Sequence, residues 1–231
     1  MIKTQLTEVR KQIEEAVEAA GRKKEEVTLI AVSKTYPVSA IEEAIAEGCM
    51  DFGENHVQEL VAKIEEIHQP VRWHLIGHLQ TNKVKYIIGK TALIHSVDSV
   101  KLAEEIEKQS AKKKIITHIL LEVNVAEEAS KYGFRVEEVM KVVEKISKMP
   151  HIQVDGLMTV APYVENPESN RAIFRKLFEL SVDIQKQKFD NISTSILSMG
   201  MSNDFKIAIE EGATMVRVGT AIFGNRDYSK E

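Results

Sequence analysis

The chain has 231 residues, with 31 lysines and arginines against 35 aspartates and glutamates, and its net charge at pH 7 is -4. This balance provides no broad cationic field, so neither nucleic acid nor an anionic membrane is expected as a partner. The one cysteine, Cys49, cannot form an internal disulfide, the N-terminal segment is charged throughout, and no apolar run approaches membrane-spanning length. We therefore expect a cytoplasmic protein, and the length favours a single domain over residues 1–231.

Short β-branched runs alternate with longer amphipathic segments along the chain, which is typical of βα units around a parallel sheet. The first amphipathic segment, at residues 5–20, predicts a helix before the first strand. Eight strands are predicted near residues 27–33, 50–53, 72–76, 92–97, 116–124, 152–160, 195–199 and 214–218. Helices are predicted between them at residues 39–47, 57–67, 100–113, 136–149, 170–186 and 203–211.

Eight strands with intervening helices match the count of a closed (β/α)₈ barrel. We therefore predict an α/β protein made of a single TIM barrel with an extra N-terminal helix. A doubly wound open sheet is the alternative. No linker, internal repeat or low-complexity tract interrupts the series, and the polar segment between Pro162 and Pro167 is interpreted as a loop after strand six.

Lys34 follows an apolar run at residues 27–32 that is typical of a buried barrel strand. In barrels of this kind the carboxyl ends of the strands carry the chemistry. An amine partly removed from water there has a lowered pKa and can condense with an aldehyde. Taken alone, the motif is explained more simply by a surface lysine that happens to follow a strand.

A glycine-containing turn, SMGMS, falls at residues 198–202, in the loop after strand seven. Barrels often bind phosphate in the loops after strands seven and eight. Gly200 lets backbone amides approach an anion closely, and Ser202 is predicted to cap the helix at residues 203–211, whose free N–H groups favour a dianion. Alone, this segment would be a routine turn with a helix cap.

The loop after strand eight begins with RVGT at residues 217–220, in which Gly219 and Thr220 offer one amide and one hydroxyl. Two such turns in the two expected loops predict a phosphate site. Arg217 lies within an apolar run, where an unpaired guanidinium would be costly, so it needs a partner. A carboxylate such as Glu54 could fill that role.

Three further polar residues lie in or after strands two and three. Asn55 follows strand two, and its simplest role is to cap the helix at residues 57–67. His74 and His78 are four residues apart, a spacing that would suit a metal on a helix. However, this segment is predicted as a strand running into a loop, and no carboxylate or thiol follows at ligand spacing, so no metal site is expected.

Five segments together resemble the pyridoxal phosphate homeostasis protein family, relatives of the alanine racemase N-terminal domain. They are AVSKT at 31–35, GENHVQE at 53–59, WHLIGHLQTNK at 73–83, SMGMS at 198–202 and RVGT at 217–220. The resemblance covers nearly the whole chain and implies a fold type III barrel that holds pyridoxal 5′-phosphate as an internal aldimine at Lys34. It also implies that Arg217 donates to the pyridine nitrogen and that Asn55 lies near the ring hydroxyl. The phosphate would lie on Ser198, Gly200, Met201, Ser202, Gly219 and Thr220.

Arginine at the ring nitrogen argues against carbanion chemistry, because an always-charged donor keeps that nitrogen unprotonated and weakens the electron sink. The related racemases also use a second, β-rich domain that supplies a tyrosine base, whereas only AIFGNRDYSKE follows strand eight here. We therefore expect no catalytic residues and weak or absent turnover. The resemblance implies a non-enzymatic role in the cellular balance of the cofactor, amino acids and keto acids.

Two alternatives stay open. One is a pyridoxal-phosphate-dependent racemase or lyase of small amino acids whose second acid/base group comes from a loop or another subunit, since Tyr228 has no following domain to position it. The other is a cofactor-free isomerase of a phosphorylated metabolite, with Lys34 attacking a sugar carbonyl. We expect a monomer that supplies apo-enzymes, and Lys131 and Lys230 are candidates for a second, weaker aldehyde site.

Overall fold

In the computed structural model, which describes residues 1–128 and 131–224, eight parallel strands close into a barrel in sequence order. The strands are β1 Thr28–Val32, β2 Asp51–Glu54, β3 Arg72–Leu75, β4 Leu93–Val97, β5 Thr117–Glu122, β6 Ile152–Met158, β7 Ile192–Ser198 and β8 Met215–Val218. The sheet closes where β1 pairs with β8, which sets Ile30 opposite Arg217. The predicted barrel is confirmed, and the open sheet is wrong.

The helices alternate with the strands along the chain. They are α1 Ile2–Ala19, α2 Val38–Ala46, α3 Val57–Glu66, α4 Val84–Ile87, α5 Val100–Lys113, α6 Val139–Ile146, α7 Arg171–Gln185, α8 Phe205–Glu210 and α9 Thr220–Phe223. The added N-terminal helix, α1, buries Leu6, Val9 and Ile13 in one stripe and packs against α2, α8 and α9. Within the described residues, none of the helices has both the length and the apolar character needed to cross a bilayer.

The helix after β7 differs from the prediction. It begins at Phe205, and the N-cap position is Asp204, so the predicted cap by Ser202 is wrong. Asp204 Oδ1 accepts a hydrogen bond from the Met201 N–H at 2.7 Å, and this contact closes a turn over residues 201–204. The turn delays the helix and leaves the Ser202 hydroxyl for another contact.

The inside of the barrel combines an apolar layer with polar groups. Three side chains form a core cluster of their own, with three more packed against it: Leu93, Leu120 and Met158, then Val160, Ile196 and Met215. Side chains two positions apart on a strand point the same way. On four strands the residue two positions after an apolar member of this layer is polar and buried: His95, Glu122, Ser198 and Arg217. Buried polar groups need partners, so the interior must contain a hydrogen-bond network or a ligand.

Candidate functional site

A cavity of about 630 Å³ opens at the carboxyl ends of the strands. This is the end at which barrels carry their chemistry, and small-molecule sites span roughly 300–1,000 Å³. Seven of the nine predicted ligands line it: Lys34, Asn55, Met201, Ser202, Arg217, Gly219 and Thr220. The other two, Ser198 and Gly200, are buried and do not line the cavity.

The backbone on both sides of Lys34 is anchored by helix α3. The Thr35 N–H donates to Glu59 Oε1 at 2.5 Å, and Lys63 Nζ donates to the carbonyl of Ser33 at 2.8 Å. Thr35 itself adopts a left-handed conformation, with φ of 69°. Lys34, which is half-buried, is therefore presented to the cavity by a turn whose two flanks are fixed.

Lys63 is the centre of a buried ion-pair cluster beneath this turn. Its Nζ lies 2.8 Å from Glu54 Oε1 and 2.7 Å from Glu59 Oε1, and the Ser33 hydroxyl donates to Glu54 Oε1 at 2.6 Å. Burial raises the pKa of Glu54, and Lys63 and Ser33 oppose that shift. Glu54 is thus taken by Lys63, and the suggested pairing of Glu54 with Arg217 is wrong.

Arg217 finds its partners inside the barrel instead. Its Nη1 donates to Ser198 Oγ at 2.6 Å, and its Nη2 donates to the carbonyl of Thr159 at 2.9 Å. Burial lowers the pKa of the guanidinium to about 10, while the carboxylates of Glu122 and Asp204 oppose the shift. The group is therefore still a cation at neutral pH.

From Arg217 a chain of buried side chains crosses the barrel interior. Ser198 Oγ lies 2.9 Å from His95 Nδ1, and His95 Nε2 lies 2.9 Å from His74 Nδ1. His74 Nε2 then lies 3.0 Å from Asp51 Oδ1. This buried relay, from Arg217 through Ser198, His95 and His74 to Asp51, joins β8 to β2 through β7, β4 and β3.

Each end of the buried relay fixes the direction of one hydrogen bond, because arginine only donates and carboxylate only accepts. Arg217 donates to Ser198, and His74 donates from Nε2 to Asp51. When both histidines are neutral, His95 donates from Nε2 to His74 and accepts the Ser198 hydroxyl at Nδ1. Burial, with His74 and Arg217 adding to it, holds the pKa of His95 well below its usual value, which favours the neutral imidazole. Ser198 accepts from Arg217 whichever tautomer His95 adopts, so this side chain supports the guanidinium.

The two predicted phosphate turns meet at Ser202. Its Oγ accepts hydrogen bonds from the Gly219 N–H and from the Thr220 hydroxyl, both at 3.3 Å. Gly200 has φ of +92°, and a Cβ at this position would lie 2.6 Å from the Ala208 Cβ. Only glycine fits there, and its close approach to α8 sets the path of the turn that carries Ser202.

A carboxylate, Asp204, also lines this cavity and would by itself repel a phosphate. Both of its oxygens are bound, one by the Met201 N–H at 2.7 Å and the other by Asn170 Nδ2 at 2.8 Å. The charge of Arg217 acts on the same carboxylate. Asp204 therefore stabilises the turn at residues 201–204, and Arg217 partly balances its negative charge.

Asn55 faces the cavity and does not cap α3. That helix begins at Val57, and its N-cap is His56, so the capping role is wrong. Gly77 passes so close to Asn55 that a Cβ on Gly77 would lie 2.5 Å from the Asn55 carbonyl oxygen. This contact fixes the backbone of Asn55 at the edge of the cavity.

Comparison with known proteins agrees with this geometry. The family model for the alanine racemase N-terminal domain matches residues 5–227. A pyridoxal phosphate homeostasis protein of Aquifex aeolicus is 46% identical over 224 residues, which cover 96% of this chain and 97% of the relative. This chain belongs to the pyridoxal phosphate homeostasis protein family.

Solved structures support the same assignment. PipY of Synechococcus elongatus PCC7942, solved with PLP bound, matches with a TM-score of 0.84 at 33% identity, covering 97% of this chain and 100% of PipY. An alanine racemase of Clostridium difficile 630 matches with a TM-score of 0.77 at 14% identity, covering 97% of this chain and 56% of the racemase. The second match shows a shared barrel fold.

For this member of the family, sequence reasoning missed the polar interior of the barrel. His95, Asp51 and Glu122 were not singled out, and His74 was considered only as a metal ligand. The signal that could have found His95 and Glu122 is a polar residue two positions after an apolar one on a buried strand. In residues 1–128 and 131–224 no group of three or more His, Cys, Asp or Glu side chains is arranged to hold a metal.

Two earlier candidates, Tyr228 and Lys230, lie outside the described residues. Lys131 is described, and its amine lies 3.1 Å from Glu128 Oε1 and donates to the carbonyl of Val160 at 3.2 Å. A second aldehyde site at Lys131 stays a prediction, and the ion pair with Glu128 would have to open for it.

Proposed function

We propose that this protein binds pyridoxal 5′-phosphate as a Schiff base on Lys34 and serves the homeostasis of this cofactor without being an enzyme. The observation that carries the proposal is one cavity lined by a lysine amine, a buried guanidinium and two meeting glycine turns. When bound, the cofactor supplies an aldehyde that condenses with a primary amine. PLP bound to PipY and the name of the Aquifex aeolicus relative support this assignment.

The donor set at the meeting turns suits a phosphate group. The hydroxyls of Ser202 and Thr220 and the N–H of Gly219 cluster within hydrogen-bond distance of one another. The two hydroxyls can rotate towards a phosphate oxygen, the amide can donate to one, and the backbone of Gly200 and Met201 lies in the same turn as Ser202. Ser198 acts at one remove, by holding Arg217.

The ring end of the cofactor is assigned to Arg217 and Asn55. A charged guanidinium donates to the pyridine nitrogen and keeps it unprotonated, which weakens the electron sink that racemases and lyases need. The buried relay fixes this guanidinium in place. Asn55 provides an amide for the ring hydroxyl. These roles favour holding the cofactor over activating it, and we propose a cytoplasmic monomer whose recipients are apo-enzymes.

Borohydride trapping tests the proposal directly. The absorbance spectrum of the purified protein is recorded before and after reduction, and the modified peptide is mapped by mass spectrometry. We expect a visible imine band, trapped on Lys34, that Lys34→Ala abolishes and that the control Lys85→Ala, at an exposed lysine, retains. A colourless protein that takes up no added pyridoxal phosphate would overturn the proposal in favour of the phosphorylated-metabolite isomerase.

A racemase or lyase is the second candidate, because one tyrosine, Tyr163, lines the cavity that contains Lys34. A phenol there could act as the second acid/base group. Tyr163 is 85% exposed, so it is less fixed than a catalytic base usually is. Incorporation of solvent deuterium at the α-carbon of alanine or serine separates the two functions. The carrier leaves that proton in place, whereas the enzyme exchanges it and loses the exchange in Tyr163→Phe.

A further inference from the structure

A second cavity, of about 650 Å³, lies beside the proposed cofactor cavity. The two share a wall made by Asn55, Ile76 and Val160. Of the predicted cofactor ligands only Asn55 reaches the second cavity, so it is not explained by the proposed function. Its remaining wall is mostly polar and comes from the loops after β3 and β5 and from the start of α3.

Glu122, at the end of β5, lines this second cavity and is only 8% exposed. Its carboxylate makes no hydrogen bond or ion pair with any residue in the described ranges 1–128 and 131–224. Burial raises the pKa of Glu122 to about 7, Asp98 adds to the shift and Arg217 opposes it. A buried carboxylate without a partner is costly unless a ligand completes it.

Lys83 is the opposite charge in the same wall. It is half-buried, and within the described parts of the chain its amine has no ion-pair or hydrogen-bond partner. Two other polar side chains of this wall already have carboxylate partners: Lys131 pairs with Glu128, and His78 Nδ1 lies 2.9 Å from Asp98 Oδ2. The carboxylate of Glu122 and the amine of Lys83 are therefore available to bind a ligand.

We propose that the second cavity binds the zwitterion of a small α-amino acid, with its ammonium on Glu122 and its carboxylate on Lys83. A simple amine or a simple carboxylic acid would complete only one of the two groups. The zwitterion completes both, and charge-assisted hydrogen bonds to ionised partners are the strong ones. The stacked rings of His78 and Tyr132, 3.8 Å apart between centroids, form an aromatic wall against which a short side chain can pack.

Because the two cavities share a wall, an amino acid in the second could affect how the cofactor is held in the first. This consequence rests on the proposed function. An amino acid bound against Asn55 and Val160 lies next to the cavity of Lys34. The amine of the bound amino acid then lies near Lys34, which is proposed to carry the cofactor's aldehyde. Occupancy of the second cavity would therefore couple retention of the cofactor to the supply of amino acids. The binding of the amino acid itself needs no cofactor.

Binding is therefore tested on cofactor-free protein, by calorimetry and saturation-transfer NMR at pH 8, with alanine, ethylamine and lactate as probes. We expect alanine to bind and each of Glu122→Gln and Lys83→Met to weaken it about tenfold or more. Ethylamine should depend on Glu122 alone, and lactate on Lys83 alone. Glu104→Gln and Lys85→Met, at exposed positions outside the cavity, should bind alanine as the wild type does.

The result that overturns this inference is alanine binding equally to the wild type and to both cavity variants, or binding to none of them. Circular dichroism of each variant confirms that it is folded before it is titrated. Borohydride trapping on Lys34 is run in parallel. Trapping without alanine binding sinks the second site alone, and alanine binding without trapping sinks the cofactor proposal alone.

Discussion

The two cavities at the carboxyl end of the barrel differ in how their charges are partnered. Beside the first, Lys63 lies between two glutamates and Arg217 rests on Ser198 and Thr159. In the second, Glu122 and Lys83 have no such partners among the described residues. A site whose groups are already held is organised before its ligand arrives. Groups left unpaired cost stability until a ligand completes them, which suits a ligand that comes and goes.

The same substitution in the two regions should therefore change the free energy of unfolding by very different amounts. Lys63→Met leaves Glu54 buried without its cation, and losing one member of a buried ion pair costs about 3–5 kcal/mol. Lys83→Met breaks no side-chain hydrogen bond or ion pair among the described residues, so its effect on the free energy of unfolding should be about 0.5 kcal/mol or less. Urea denaturation of both variants against the wild type makes the comparison.

Equal destabilisation by the two lysine substitutions would contradict this contrast. The flanks of Lys34 also depend on Lys63, through the carbonyl of Ser33. Lys63→Met should thus slow formation of the trapped adduct at Lys34 even at temperatures where the variant is folded, and Lys83→Met should not.

The contrast between the cavities also shows what the sequence can and cannot predict. Helix α5 was predicted at its observed bounds because its signals are local: Ser99 Oγ accepts from the Leu102 N–H at 3.3 Å, and Lys114 ends it with φ of 54°. The turns at residues 198–202 and 217–220 were found for the same reason. The roles of their side chains depend on contacts between distant segments, so the cap by Ser202 was predicted wrongly.

The wrong prediction for the barrel interior also concerned a contact between residues far apart in the sequence. Arg217 was recognised as a buried cation in need of a partner, but the candidate was the wrong one. The true partners, Ser198 and Thr159, lie 19 and 58 residues away along the chain and meet it only when the barrel closes. The local hydrophobic pattern of the sequence predicts which residue is buried. Which residues it contacts depends on how the strands meet when the sheet closes.

Glu122→Gln should stabilise the protein in a pH-dependent way. Burial raises the pKa of this carboxyl from 4.5 to about 7, so between these values the folded state binds more protons than the unfolded state. The free energy of unfolding then falls as the pH rises through this window, by about 3 kcal/mol in total. Glutamine does not titrate, so the variant should lose this slope and exceed the wild type most above pH 7.

Chemical denaturation of Glu122→Gln and of the control Glu104→Gln from pH 4.5 to 8 measures the slope. Asp98 and Arg217 act on the Glu122 carboxyl, and His78 binds Asp98. The two variants are therefore compared at each pH, so that the titration of these other groups cancels.

The affinity of the wild type for alanine should show the opposite dependence on pH. Its ammonium needs the ionised carboxylate, so affinity should rise up to tenfold per pH unit below 7 and level off above it. If the free energy of unfolding of the two variants fell with pH at the same rate, Glu122 would not be an unpaired carboxylate with a raised pKa.

The smallest of these effects tests how firmly the first cavity holds its arginine. Ser198→Ala removes the acceptor of Arg217 Nη1 and the hydrogen-bond partner of His95 Nδ1, which leaves these two buried nitrogen atoms without that partner. We expect a loss of about 2 kcal/mol in the free energy of unfolding. Ser195→Ala, at an exposed position on the same strand, is the matched control and should change little.

A second measurement on Ser198→Ala separates support of the guanidinium from general stability. If Arg217 donates to the ring nitrogen, a loosened guanidinium should let that nitrogen take up a proton more easily. The pH at which the bound cofactor changes its absorbance should then rise in Ser198→Ala and stay unchanged in Ser195→Ala. A variant that loses stability but keeps the wild-type pH profile would show that the buried relay serves the core of the barrel and not the ring.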